Sequence, residues 1–210
     1  YSNEIDTIII PDGVTRIGSS AFQWDYDLSY IKLPKNLKSI DSYAFEATNV
    51  VEFVFPETLE LIEEGAFNGL KYLQKVYCMA KTPPIAELDP INDYDGPFYW
   101  SGKNCTLYVP KGSGDLYRNA SGWQDFQQVV ETDNFPSSCG ITFAPSCTVS
   151  ISDGEIIINN PTDIPTRVSV YAVNGNLVRQ EKVVGTFTLT VSPGIYLVKA
   201  GRKTEKVVVK

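Results

Sequence analysis

Histidine is absent from the 210 residues. Without imidazole there is no Ser-His-Asp or Cys-His catalysis and no zinc site that needs a ring nitrogen. Carboxylates and lysine can still catalyse, so this absence narrows the enzyme classes without closing them. No apolar run approaches the ~20 residues of a membrane-spanning helix. The four cysteines, Cys78, Cys105, Cys139 and Cys147, contain no C-x-x-C pair, so no zinc ribbon or dithiol redox motif is expected. Their even number permits disulfides in an oxidising compartment without requiring them.

Basic charge is scarce where it would matter for nucleic acid. Residues 1–148 hold 20 acids against 10 bases, and residues 149–210 hold 5 against 8, together the 25 and 18 of the whole chain. A reader of phosphate backbones needs a concentrated basic face, and the larger part has the opposite sign. At 43% hydrophobic and 20% charged residues, the composition is that of a folded protein. An initiator methionine and a secretory apolar segment are also missing at Tyr1, as expected of a mature or trimmed chain whose leader has been removed.

What is present is a repeat. Three gapless segments align: IIIPDGVTRIGSSAF from Ile8, IKLPKNLKSIDSYAF from Ile31 and FVFPETLELIEEGAF from Phe53. Pro11, Pro34 and Pro56 set periods of 23 and 22, and Ala21-Phe22, Ala44-Phe45 and Ala66-Phe67 keep them. A fourth strand places Cys78 in the register of Leu33 and Phe55; a fifth, Thr106 to Pro110, restores the proline after a longer gap. Periods of 20–29 residues mark leucine-rich repeats, whose coils cannot bury an apolar face alone.

The pattern assigns each position a direction. Ile8/Ile10, Ile31/Leu33 and Phe53/Phe55 lie two apart and share the interior face of a strand. Proline then ends the strand, since it cannot donate the next ladder bond. Val14/Ile17, Leu37/Ile40 and Leu59/Ile62 form the opposite wall. The Ala-Phe pair fills the corner, which makes Phe45 a buried residue. The fifth strand aligns Val109 with Cys78, so Cys105 lies about 13 Å away along the strand. That argues against a Cys78–Cys105 disulfide; Cys139 and Cys147 could bridge more easily. The array opens on a strand near Ile5 without a cap, so further repeats are expected upstream of Tyr1.

These segments lack the asparagine of the common repeat and resemble the BspA-like leucine-rich repeats of bacterial surface proteins. CMAKTPPI, TLYVPKGSGDLY and GWQDF resemble the ending of such arrays, so the resemblance covers about residues 5–131. It implies a bacterial surface protein; separately, no cofactor is expected.

Residues 132–148 read as a Pro/Ser/Gly linker. Beyond them come short strands near 155–159, 167–173, 177–181, 186–191, 195–200 and 204–210, with Asn174-Gly175 as a hairpin turn in which both residues tolerate positive φ. An antiparallel Ig-like β-sandwich is expected over 149–210. VYAVNGNLVRQ and SPGIYLVKAGRKTEKVVVK resemble the C-terminal sorting domains of the Por-type secretion system, through Val170, Tyr171, Gly175, Val178, Gly194, Ile195, Tyr196, Val198 and Lys210. That resemblance implies export and surface attachment. The expected fold is thus mainly β: a solenoid of about four to five coils over 1–131, a linker over 132–148 and a β-sandwich over 149–210.

Candidate binding residues follow from the alternation. If Ile31 and Leu33 point inward, Tyr30 and Lys32 point outward, as do Thr7/Ile9, Glu52/Val54, Lys75/Tyr77 and Thr106/Tyr108. Stacked strands would align them into one continuous stripe about 4.8 Å apart. Its apolar and aromatic members suit a ligand, or a covering neighbour. Of these, Tyr30, Lys32, Glu52, Val54, Lys75, Tyr77 and Tyr108 are the candidate set.

The gap before the fifth strand holds Glu87, Asp89, Asp93, Asp95 and Gly96 with Tyr94, Phe98, Tyr99 and Trp100. Asp93-x-Asp95-Gly96 is a fragment of a calcium loop without the downstream glutamate, so a packed acidic loop is expected and no metal. Its aromatics could stack on sugar rings, or Phe98 could replace the missing Ala-Phe corner. Glu63-Glu64 take the Ser19-Ser20 and Ser42-Tyr43 turn positions, a solvated corner that does not form a catalytic cleft. The expectation is a non-enzymatic surface or secreted interaction protein. Its partner would be a host or bacterial surface protein or a glycan, and no nucleic acid. The rival is the carbohydrate-binding accessory module of a glycan-processing enzyme.

Overall fold

A computed structural model describes residues 7–89, 96–136, 147–161, 165–200 and 203–210. Two compact units divide it, residues 1–141 and 142–210.

The first unit is a β-solenoid of about five turns with little helix. Its elements are β1 (Thr7–Ile9), β2 (Arg16–Ile17), β3 (Tyr30–Lys32), β4 (Ser39–Ile40), β5 (Glu52–Phe55), β6 (Leu61–Ile62), β7 (Lys75–Cys78), β8 (Ile85–Ala86), β9 (Thr106–Pro110), α1 (Gly114–Asn119) and β10 (Gln128–Thr132). Each of the first four coils lays one strand in each of two walls. One wall is β2-β4-β6-β8, parallel throughout. The other is β1-β3 followed by β5-β7-β9-β10, also parallel.

The prolines do more than stop a strand. The carbonyls of Pro11, Pro34 and Pro56 accept from the amides of Val14, Leu37 and Leu59 at 3.0–3.2 Å. Each proline therefore opens the turn that delivers the chain to the second wall.

The corner after that wall has a left-handed residue two places before Phe22, Phe45 and Phe67, and another two places after these three and after Phe98. The first is Ser20, Tyr43 or Gly65; the second is Trp24, Ala47, Gly69 or Trp100. Between them the phenylalanines form one stacked column. Phe22 to Phe45 is 5.2 Å, Phe45 to Phe67 is 5.5 Å and Phe67 to Phe98 is 5.2 Å, all within 15° of parallel. Phe98 does replace the missing corner: the Phe67 amide donates to the Pro97 carbonyl, as Phe45 does to Ala66. Phe45 is fully buried. At the far end, Tyr117, Trp123 and Phe126 close the core, with the Trp123 indole donating to the Pro84 carbonyl at 2.9 Å.

Two expectations need correction. The outer ladder is not one continuous sheet, because no ladder joins β3 to β5. Glu63-Glu64 also stand one place earlier than expected, level with Asp41-Ser42: the Glu63 amide donates to Ile40 and the Tyr43 amide to Glu64.

Among the described residues, the second unit holds β11 (Thr148–Ser152), β12 (Glu155–Asn160), β13 (Thr166–Ala172), β14 (Leu177–Val183), β15 (Gly185–Thr190), β16 (Gly194–Ala200) and β17 (Lys203–Val209). They form two antiparallel sheets, β11-β12-β15 and β14-β13-β16-β17. Ile156 and Ile158 from one share a buried cluster with Val168, Val170 and Val198 from the other.

The Asn174-Gly175 hairpin forms, but only Gly175 has positive φ, at 86°. The Gly175 amide donates to the Ala172 carbonyl at 2.8 Å, and the Ala172 amide donates to the Asn176 carbonyl at 2.9 Å. This is a type I turn closed by a glycine bulge, which needs one left-handed residue instead of two. The two-residue turn with both φ positive occurs at Asp153-Gly154, between β11 and β12.

Candidate ligand-binding face

The outer wall of the solenoid presents the candidate residues. Burial alternates along β5 and β7: Phe53, Phe55, Val76 and Cys78 are buried, while Glu52, Val54 and Tyr77 are half-buried and Lys75 is exposed. The ladder sets Glu52 beside Lys75 and Thr106, and Val54 beside Tyr77 and Tyr108. Five of the candidates, Glu52, Val54, Lys75, Tyr77 and Tyr108, thus meet on one sheet. Tyr30 and Lys32 stand on the separate β1-β3 pair, opposite Thr7 and Ile9.

The chemical centre of this face is an aromatic pair. Tyr77 and Tyr108 stack at 4.6 Å with 16° between their planes. Burial raises the Tyr77 phenol above its ordinary range, and Glu52 and Tyr108 push the same way. Burial also raises the Glu52 carboxyl, against the pull of Lys75. The face therefore combines a partly desolvated acid with a lysine and two stacked tyrosine rings.

β10 extends the face, which the sequence reading missed. Val130 aligns with Tyr108 and Gln128 with Thr106, whose hydroxyl lies 3.1 Å from the Gln128 amide oxygen. Little in the sequence marks it: QVVET sets Val129 and Val130 side by side without alternation, and no proline directly follows it to mark another coil.

The other candidates are placed as follows. Glu63 accepts from both the Ser42 amide and hydroxyl at 2.8 Å, so it is tied into the corner. Asp41, one coil earlier, is buried and paired with Arg16 at 2.7 Å. Asp93, Tyr94 and Asp95 lie outside the described residues, so the acidic-loop reading does too. Among the described residues no group of acids and cysteines is arranged to hold a metal ion.

Cys78 and Cys105 are buried thiols. Tyr77 pairs with Tyr108, which carries Cys78 level with Val109 as the register required. Burial pushes the Cys78 thiol up to about 11 and the Cys105 thiol up to about 12. The Tyr117 hydroxyl donates to the Ala80 carbonyl at 2.8 Å and lies 3.1 Å from the Cys78 sulfur. Cys147 is buried in the second unit; its proposed pairing with Cys139 lies outside the described residues.

No helix among the described residues is long and apolar enough to cross a membrane. No curated protein matches the chain. Residues 1–87, which span β1 to β8, match the family model described as the BspA type leucine rich repeat region, in six copies, and over that stretch the chain is BspA-like.

Proposed function

We propose that the chain is a non-enzymatic interaction protein of a cell surface or secreted fraction, which binds its partner through the outer face of β5, β7, β9 and β10. The observation that carries this reading is the stacked Tyr77–Tyr108 pair, flanked by Val54 and Val130 on the same row. Tyrosines offer a large rigid apolar surface and a hydroxyl at small entropic cost. Glu52 and Lys75, beside them, set orientation and salt sensitivity. The BspA-like repeats support a surface protein-interaction role. In this reading the second unit is an Ig-like sandwich serving export or attachment, supported by its two antiparallel sheets and single core.

The test is the double change Tyr77→Ala with Tyr108→Ala, assayed on immobilised extracellular proteins and on whole bacterial cells. Binding is expected to weaken at least about tenfold, as for a hot-spot pair. Circular dichroism should be unchanged, because both side chains face outward. Unaltered binding by a folded variant would exclude this face.

A further inference from the structure

Two of the three tryptophans do nothing for the core. Trp24 is 60% exposed and Trp100 is 68% exposed, whereas Trp123 is fully buried. Both exposed indoles occupy the left-handed corner position, at φ 61° and 64°. A bulky side chain there meets a steric penalty that glycine avoids. The same position is filled by Ala47 and Gly69 in the two intervening coils. Strain kept at an exposed residue that contributes no packing points to use at the surface.

The four positions form one column. The amides of Trp24, Ala47 and Gly69 donate to the carbonyls of Glu46, Asn68 and Tyr99 in the next coil, at 2.9, 2.9 and 3.2 Å. Each residue therefore stacks directly on its counterpart. Three ladder steps separate the indoles, roughly 14 Å. Between them the floor is small, and a Cβ added at Gly69 would meet nothing within 4 Å. The result is a shallow trough with an indole at each end. Trp100 is also held in orientation: Tyr99 meets it edge-on at 5.1 Å and the Lys103 ammonium lies 5.8 Å from its ring.

The surroundings decide the class of ligand. The neighbouring column is polar, with the Gln23 and Asn68 amides both donating to the Glu46 carboxylate. Exposed rings at the two ends of a column of small residues, beside hydrogen-bonding groups, lack the contiguous apolar centre of a protein–protein interface. They match a ligand that itself alternates apolar faces with hydroxyl edges, which is a sugar chain. Residues 1–148 carry 20 acids against 10 bases, which disfavours anionic polymers. We propose that the Trp24–Trp100 trough binds a neutral oligosaccharide lying across four successive coils, one sugar ring stacked on each indole. The site is separate from the tyrosine face.

The experiment uses the whole chain and soluble cello-, xylo-, manno- and chito-oligosaccharides, as disaccharides and as hexasaccharides. Tryptophan fluorescence reads the site, since Trp24 and Trp100 are open to a collisional quencher and Trp123 is not. A hexasaccharide of at least one series is expected to shield the accessible signal, and its disaccharide to bind at least tenfold more weakly. Trp24→Gly and Trp100→Gly suit the positive φ and should fold. Each is expected to weaken hexasaccharide binding at least tenfold by calorimetry, while Tyr77→Ala with Tyr108→Ala leaves it unchanged. The proposal is overturned if no hexasaccharide shields the indoles. Full binding by the folded Trp24→Gly/Trp100→Gly double variant would overturn it as well. So would loss of sugar binding in the tyrosine variant alone.

Discussion

Phe45 has a phenylalanine stacked on each side, at 5.2 and 5.5 Å, and no solvent exposure. Its truncation leaves a hole that two neighbouring coils cannot both close. Phe45→Ala should cost ~3–5 kcal/mol in denaturant unfolding. Phe22, the half-buried end member of the column, should cost distinctly less on the same change. A loss under about 1 kcal/mol at Phe45 would contradict the column. The thiols give a second residue-level test. Both are raised above the ordinary value of 9.0, Cys78 to about 11 and Cys105 to about 12. An acid whose folded value is raised ionises first in the unfolded chain. Its contribution is thus complete below about pH 9 and is lost as pH climbs toward 11–12, by about 1.4 kcal/mol per pH unit for each thiol. Chemical unfolding at pH 8 and pH 10.5 should show that decline, and Cys78→Ser with Cys105→Ser should flatten it relative to its own pH 8 value. Neither thiol should react with a maleimide until the chain unfolds, and peptide mapping should find them unjoined.

At the scale of one coil, the corners separate two effects that sequence alone confounds. Gly65 and Gly69 share positive φ, 63° and 67°. A Cβ at Gly65 would lie 2.3 Å from the Tyr43 ring of the preceding coil, while one at Gly69 would meet open space. Gly69→Ala should therefore cost only the left-handed penalty, about 1 kcal/mol. Gly65→Ala should cost more, roughly 2–3 kcal/mol, because it adds displacement of a packed ring. Equal losses in thermal unfolding would mean that Tyr43 moves aside freely. The same comparison explains why serine and tyrosine tolerate this position elsewhere. Ser20 and Tyr43 carry the backbone strain, and the third coil, with a tyrosine ring against it, has glycine.

At the scale of the whole molecule, the described residues form two cores with no buried residue in common. One runs from Ile17 to Phe126 and the other from Cys147 to Val209. Units with separate cores unfold as separate cooperative transitions. Calorimetry should resolve two, and Phe45→Ala should lower only the solenoid transition. A single transition shifted as a whole by that change would show that the units are energetically coupled. The proposed role of the second unit in export and attachment is tested at the same scale. Deleting residues 142–210 should leave the sheet-face and trough affinities unaltered while removing surface retention.

The repeat was legible because every coil solves one problem with the same residues. Paired apolar positions, a turn-opening proline and a corner phenylalanine recur, so registers such as Val109 beside Cys78 follow by counting. Even Phe98 could be placed, since a hole at the end of a phenylalanine column must be filled. Tertiary structure decided what lacks a local signature. β10 is a strand because β9 offers an unpaired edge, and no motif in QVVET announces it. β11 was obscured by the cysteine- and proline-rich stretch before it, although Asp153-Gly154 marked its turn. The choice between a two-residue turn and a bulged one at Asn174-Gly175 belongs to the twist of β13 and β14, which a dipeptide does not carry. Direction was the hardest to read: Trp100 and Phe98 stand two residues apart in one corner, yet one is exposed and the other closes the core. Only the stacking of successive coils separates them, because inside and outside at a corner are defined by the neighbours above and below.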